Sequence, residues 1–235
     1  EKITLFSDMV VFSSYAMHVI MSFLFLSMVF MMLPRAQVSA ERINEVLDET
    51  STILDGEREC GLEGEIGTVE FRNVSFKYPD AEEYLLEDIS FKAERGQTVA
   101  FIGSTGSGKS TLINLVPRFY DVTDGKVLVD GVDVRDYKLS ALNNKLGYVP
   151  QRAVMFSGTV KSNVCFGENG KEKISNKKMR AAIKTAQGKD FVEKMDKEYG
   201  SHIAQGGTNV SGGQKQRLAI ARAVARDPEI FIFDD

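Results

Sequence analysis

The chain has 235 residues, with 29 Lys and Arg against 33 Asp and Glu and a formal net charge of -4, enough for one sizeable domain plus an appendage. No run of Lys and Arg is dense enough for a nucleic-acid tract, and Lys171–Lys178 reads as a solvated surface. Cys60 and Cys165 lack metal-ligand spacing, which points to a reduced, cytosol-facing domain with incidental thiols.

The first predicted element is Val10–Leu33, which holds no charged residue. As a helix it would reach roughly 36 Å, against about 30 Å for a bilayer core. A buried core helix is the plainer alternative, opposed by length and the lack of charge. A cleaved signal peptide needs a basic start and a small-residue cleavage site, and neither is present. Ser13, Ser14, Ser22, Ser27 and His18 interrupt the run and are expected to face other helices or a cavity. His18 either lines a substrate path or packs against a neighbour, and packing is favoured. Arg35 and Arg42 put the following side in the cytosol. The helix is expected to continue through Ala36–Glu49, bent but not stopped by Pro34. The division that follows is 1–50 for this helix and its extension, 51–67 for a linker rich in Gly, Glu and Thr, and 68–235 for a soluble domain. The chain opens on Glu1 and stops on an apolar strand-like run, so both ends are expected to be cut from a longer protein.

In the soluble part, Thr68–Tyr78, Leu85–Phe91, Thr98–Ile102, Lys126–Val129 and Leu146–Val149 read as strands. Thr159–Asn163, Asn176–Gln187, Phe191–Met195 and Gln214–Ala225 read as helices, and Glu229–Phe233 as a buried strand. The order predicts an α/β nucleotide-binding domain carrying a helical subdomain.

Gly103-Ser104-Thr105-Gly106-Ser107-Gly108-Lys109-Ser110 fits the G-x-x-x-x-G-K-[ST] phosphate loop and lies between a strand-like and a helix-like run. Its glycines let successive N–H groups turn toward phosphate oxygens, and Thr111 follows in the helix start. Lys109 is expected to reach the β and γ phosphates and Ser110 to ligate Mg²⁺. A flexible surface loop is the plain alternative, and the full motif in its strand–helix context opposes it. Asp234, at the end of Ile230–Phe233, is placed to hold Mg²⁺ through water. Asp235 follows and would polarise the attacking water, or else serve as a simple capping residue.

Ser211, Gly212, Gly213 and Gln214 open a helix and form a second anion site, or only cap that helix. Tyr78 would stack on an adenine ring, though a packing aromatic is nearly as good a reading. Gln151, after a strand, would contact metal or the attacking water, or report nucleotide state to the helical insert.

Taken together, these residues resemble the ATP-binding cassette (ABC) exporters with fused membrane and nucleotide domains. Gly103–Ser110 is similar to Walker A, Ile230–Asp234 to Walker B, Gln151 to the Q-loop, Ser211–Gln214 to the signature motif, and Tyr78 to the adenine-stacking aromatic. Val210 precedes the signature where the family often has Leu. The resemblance implies an α/β fold of ABC type: a RecA-like core, an antiparallel β subdomain and a helical subdomain, preceded by one transmembrane helix. It implies ATP and Mg²⁺ as cofactors. It implies ATP hydrolysis coupled to export, with two nucleotide domains closing head to tail so that each signature faces the other's Walker A. Phe156 and Asn163 lie in the stretch that would meet the coupling helices.

Asp235 stands where the family usually has Glu, so a heterodimer with one degenerate site is expected, and a homodimer with Asp235 as base stays open. The implied partners are a second exporter subunit, membrane lipid and a transported drug, lipid or peptide, with no nucleic acid. The implied location is the cell membrane, multi-pass in the full-length protein, with the nucleotide domain in the cytoplasm. A non-transport ATPase or a regulatory nucleotide-binding module with little hydrolysis is the alternative.

Overall fold

The computed structural model describes residues 2–167 and 173–234. Lys171, in the basic cluster, and Asp235 lie outside the described residues. The chain divides into two compact units, 1–52 and 53–235.

The first unit is the single helix α1 (Lys2–Leu47), 46 residues long, with Pro34 inside it. Proline lacks an N–H and breaks one backbone bond, but the helix continues past it, as expected. The helix is long and apolar enough to cross a membrane. Its large side chains are exposed along the whole length, from Phe12 through Phe23 to Phe30. Such a surface needs lipid or other helices against it. Three of its serines are satisfied within the helix: Ser22 Oγ donates to the carbonyl of His18 at 2.8 Å, Ser27 Oγ to that of Phe23 at 2.9 Å and Ser39 Oγ to that of Arg35 at 2.9 Å.

The second unit begins with β1 (Val69–Phe76) and β2 (Leu86–Ala93), followed by α2 (Lys109–Asn114), β3 (Asp124–Val129), β4 (Val132–Asp133), α3 (Leu139–Lys145) and β5 (Leu146–Val149). The helical part holds β6 (Gly158–Thr159), α4 (Val160–Val164), α5 (Asn176–Thr185), α6 (Lys189–Val192), β7 (His202–Ile203) and α7 (Gly212–Ala225). The last element is β8 (Ile230–Phe233).

An antiparallel sheet runs in the order β2-β1-β3-β4. Along β1 the buried residues are Val69 and Phe71, then Val74 and Phe76. That one-residue slip in a period of two marks a bulge, and the pairing with β2 shifts between Phe71 and Val74. Asn73 takes the left-handed φ of 47°, a conformation Asn tolerates better than most residues. The sequence spacing Val69, Phe71, Val74 already carries the slip, and the structure shows that it is a bulge within one strand. The β3–β4 hairpin turns on Asp130 and Gly131, both at positive φ, which suits a two-residue turn matching the strand twist.

Strands β5 and β8 pair in parallel, with Val149 opposite Phe233. Their residues Leu146 and Ile232 join Leu112 and Leu115 of the phosphate-loop helix region in one core with the antiparallel sheet. The expected strand Thr98–Ile102 is not part of any ladder among the described residues. A strand needs a neighbour for its backbone groups, and this run leaves Val99 and Ile102 exposed, Ile102 at 97%.

The helical subdomain has its own core. Met179, Ala182, Ile183 and Ala186 form a buried i, i+3, i+4, i+7 stripe on α5 and its C-cap. They pack with the same core as Leu218, Ala221 and Ala225 of α7. Short α3 escapes the sequence pattern because, of its residues Leu139–Lys145, only Leu142 is fully buried.

Candidate functional site

The phosphate loop folds tightly because its glycines allow it. Gly106 and Gly108 sit at φ 84° and 86°, where a side chain would strain the backbone. A Cβ at Gly103 would fall 2.8 Å from Ser107 Oγ. Lys109 bends back over the loop, its Nζ donating to the carbonyls of Gly103 at 2.9 Å and Ser104 at 2.7 Å. Its Nζ also reaches Ser107 Oγ at 3.4 Å. The ammonium is therefore held across the curl by oxygens of the loop itself.

Ser110 Oγ donates to Asp234 Oδ1 at 2.8 Å, across 124 residues of sequence. Asp234 is positioned by the sheet, since its backbone N–H donates to the Val149 carbonyl at 2.9 Å and so extends the β5–β8 ladder. The same strand delivers Gln151, which lies exposed two residues beyond Val149. A hydroxyl beside a carboxylate is a hard-oxygen pair of the kind Mg²⁺ takes, and phosphate oxygens and water would supply its other ligands. No group of three or more His, Cys, Asp or Glu able to hold a metal occurs among the described residues. A site that relies on phosphate oxygens needs no such group. Tyr148, whose hydroxyl donates to Asn114 Oδ1 at 2.8 Å, has its phenol pushed up by burial and by the Asp234 charge.

Tyr78 is half-buried, edge-on to Phe76 at 5.0 Å and to Tyr120 at 5.2 Å between ring centres. Its hydroxyl shares a 2.9 Å hydrogen bond with Thr111 Oγ1, on the residue after Ser110. The aromatic singled out for adenine is thus also tied to the phosphate-loop helix.

Ser211–Gln214 forms a complete capping box on α7. Ser211 Oγ accepts from the Gln214 N–H at 3.3 Å, and Gln214 Oε1 accepts from the Ser211 N–H at 2.9 Å. Gly212 and Gly213 are exposed, with open space where a Cβ would stand. Helix geometry leaves their amides without intrahelical acceptors. The segment is therefore both a cap and an open pair of donors. Asp235 is outside the described residues.

Other charged residues at work in this domain were not legible in the sequence. Half-buried Arg222 on α7 donates to the carbonyls of Asn163 at 2.8 Å and Val154 at 3.1 Å, and its pKa is lowered by desolvation. It also lies under the stacked rings of Phe156 and Phe166. Asn163 is buried, its amide closing on both backbone groups of Phe156 at 2.9 and 2.8 Å. Buried Arg118 and Asp130 hold the segment before β1. Nothing in their sequence neighbourhood distinguishes them from surface charges.

The family model described as ABC transporter matches residues 86–235. The chain is 44% identical over 229 residues to an uncharacterised ABC transporter ATP-binding protein of Mycobacterium tuberculosis, covering 97% of this chain and 39% of that protein. It is 41% identical over 201 residues to the ATP-dependent lipid A-core flippase of Pseudomonas aeruginosa, covering 86% of this chain and 33% of the flippase. It is similar to the structure of a bacterial Atm1-family ABC exporter with ATP bound, with a TM-score of 0.78, 33% identity, and coverage of 89% and 36% of the two chains. The chain thus spans between about a third and two fifths of the length of these relatives. Its fold is the RecA-like ABC ATPase fold with an antiparallel sheet and a helical subdomain, preceded by one apolar helix. The match across the nucleotide domain, together with the near-complete coverage of this chain by the mycobacterial relative, places it in the ABC transporter family.

Proposed function

We propose that this chain is the ATP-binding portion and adjoining membrane helix of an exporter subunit that couples Mg-ATP hydrolysis to substrate efflux. The observation that carries the proposal is the 2.8 Å pairing of Ser110 with Asp234, on the same chain as a helix able to cross a membrane. Lys109 would hold the β and γ phosphates, and the loop amides of Gly106–Ser110 would cradle them. Ser110 and Asp234 would hold Mg²⁺, directly and through water. Bound there, Mg²⁺ would neutralise charge developing on the phosphate oxygens. Gln151 and Asp235 would orient and polarise the attacking water. Tyr78 would face the adenine. The open amides of Gly212 and Gly213, with Ser211 and Gln214, would meet the nucleotide of a second subunit.

The relatives' names support export: one is called a lipid A-core flippase, and another, in Staphylococcus aureus, a putative multidrug export ATP-binding/permease protein. Asp235 is one methylene shorter than the Glu usual in the family, so its reach to the water is reduced. This favours a heterodimer in which the site bearing Asp235 turns over slowly while Ser211–Gln214 serves the partner's site. In this reading α1 lies in the cell membrane with the nucleotide domain in the cytoplasm.

The test is ATP hydrolysis by the full-length protein in membranes, alone and with its partner, with Asp235 as found and as Asp235→Glu. ATP-dependent dye or lipid movement is read in parallel. A pair that turns over, a lone subunit that barely does, and a gain on Asp235→Glu support the proposal. Equal rates for the lone subunit and the pair assign Asp235 as a working base. ATP turnover without movement of any cargo would favour a non-transport ATPase.

A further inference from the structure

The segment between α1 and β1 has the composition of a free linker but is fastened along its length to the ATP-binding unit. At its start, Arg118 Nη1 donates to the Leu54 carbonyl at 2.8 Å. Arg118 is 6% exposed, and its other guanidinium nitrogens grip Asp121 at 2.7 and 3.1 Å. At its end, Asp130, which has no exposed surface, accepts the Gly67 N–H on Oδ1 at 2.7 Å. Its other oxygen is paired with Lys145 at 2.7 Å.

Between these clamps the backbone is stitched down. The N–H groups of Gly56, Glu57 and Arg58 donate to the carbonyls of Tyr137 and Asp136, and Lys138 N–H returns a bond to Arg58. Leu62 N–H donates to the Asp130 carbonyl at 2.8 Å. A Cβ at Gly56 would run into the Asp136 carbonyl, so close approach requires glycine there. Lys138 also pairs with Glu59.

Buried charges are costly unless their hydrogen-bonding capacity is met. Arg118 and Asp130 each meet part of theirs with main chain of this strap. The strap is therefore built into the domain. Arg118 also lies directly past α2, with its N–H on the Leu115 carbonyl and Phe119 N–H on that of Asn114. Only residues 48–52 separate the end of α1 from the strap.

We infer that residues 53–67 are a tie that carries displacement of the α1 end to the end of the phosphate-loop helix, with Arg118 and Asp130 as positioning residues that hold it. This connection does not run through Gln151, and its role in transport rests on the exporter reading.

The test uses full-length protein in lipid nanodiscs, with hydrogen exchange read by mass spectrometry before and after ATP with vanadate. Two variants are compared with the native protein. Arg118→Met releases the clamp and keeps an apolar stem. A second variant slackens the tie with six Gly and Ser residues inserted between Glu49 and Thr50. In the native protein, ATP is expected to change exchange over 36–52. Both variants should cut that change by about half or more while ATP Kd stays within about threefold. Arg118→Met alone should speed exchange at 56–58 at least tenfold. The inference is overturned by no nucleotide response at 36–52 in the native protein, or by an undiminished response in the slackened variant. It is also overturned if Arg118→Met loses ATP binding while the slackened variant behaves as native, since Arg118 would then only build the ATP site. Cargo movement is measured separately, so a nucleotide response without transport sinks the exporter reading and leaves the tie standing.

Discussion

The two glycine-bearing helix starts proposed to meet phosphate are finished in different ways. The phosphate loop is completed from 124 residues away, by Asp234 at the end of β8. Ser211–Gln214 completes itself within three residues, as the cap of its own helix. In sequence both are short glycine runs at a helix start. In space, one gathers an ammonium, a hydroxyl and a carboxylate around a curl, while the other offers two exposed amides and nothing further of its own. The first has the parts of a nucleotide site, and the second has the form of a contact that something else must complete.

The largest effect that separates them is expected at Lys109. Lys109→Ala removes the only ammonium hydrogen-bonded across the curl among the described residues, and ATP hydrolysis by the full-length protein should fall by about 100-fold or more. Circular dichroism should stay native, because the lysine is not part of the core. A smaller loss would mean that the ammonium does not complete the phosphate loop.

At Tyr78, ring and hydroxyl can be separated. Tyr78→Phe removes the Thr111 hydrogen bond and keeps the ring, and ATP affinity should drop by roughly threefold to tenfold, in line with one hydrogen bond of about 1 kcal/mol. Tyr78→Ala should lose more, and should also lose discrimination between adenine and guanine nucleotides. Titration with fluorescent ATP and GTP analogues reads both.

Ser211→Ala should act mainly on stability. Loss of the cap costs about 1 kcal/mol, which lowers Tm by roughly 2–4 °C in a domain of this size. ATP affinity at the phosphate loop should change less than about twofold. A large fall in affinity there would mean the two sites are completed by each other within one chain.

The smallest effect is on pH dependence. Burial pulls the Lys145 pKa down, but the hydrogen bonds and charges of Asp130 and Glu229 outweigh it and hold the ammonium above its usual 10.5. Burial pushes the Tyr137 phenol up to about 12. Both folded values lie above the unfolded ones, so their stabilisation is complete below about pH 10 and fades as pH rises beyond it. Thermal melts should be flat in this contribution from pH 7 to 10 and fall above. Loss of stability on acidification through pH 7 would not come from these groups.

Much of the fold was legible where chain chemistry is local. The phosphate loop, the capped α7 and the charge-free run of α1 each announce themselves through glycine placement, cap residues or uninterrupted apolarity. What stayed hidden depends on distant partners. Asn73 makes a bulge only because β2 and β3 flank it. Thr98–Ile102 reads as a strand because strand propensity is a statement about side chains, and pairing is a statement about neighbours. Arg118, Asp130 and Arg222 look like surface charges until the backbone carbonyls and amides they serve are brought to them. In the site, Lys109, Ser110 and Asp234 were readable from motif spacing, whereas the Tyr78–Thr111 bond joins residues whose proximity no spacing rule encodes.

A double-mutant cycle decides whether Ser110 and Asp234 act together at one metal site. Mg²⁺-dependent ATP binding is measured for the native full-length protein, Ser110→Ala, Asp234→Asn and the double variant. Each single change should raise the Mg²⁺ concentration needed by about tenfold or more, and the double variant should be little worse than either single, because both remove one shared site. Losses that simply multiply, or a Mg²⁺ requirement that neither variant shifts, would contradict the pairing as the metal site.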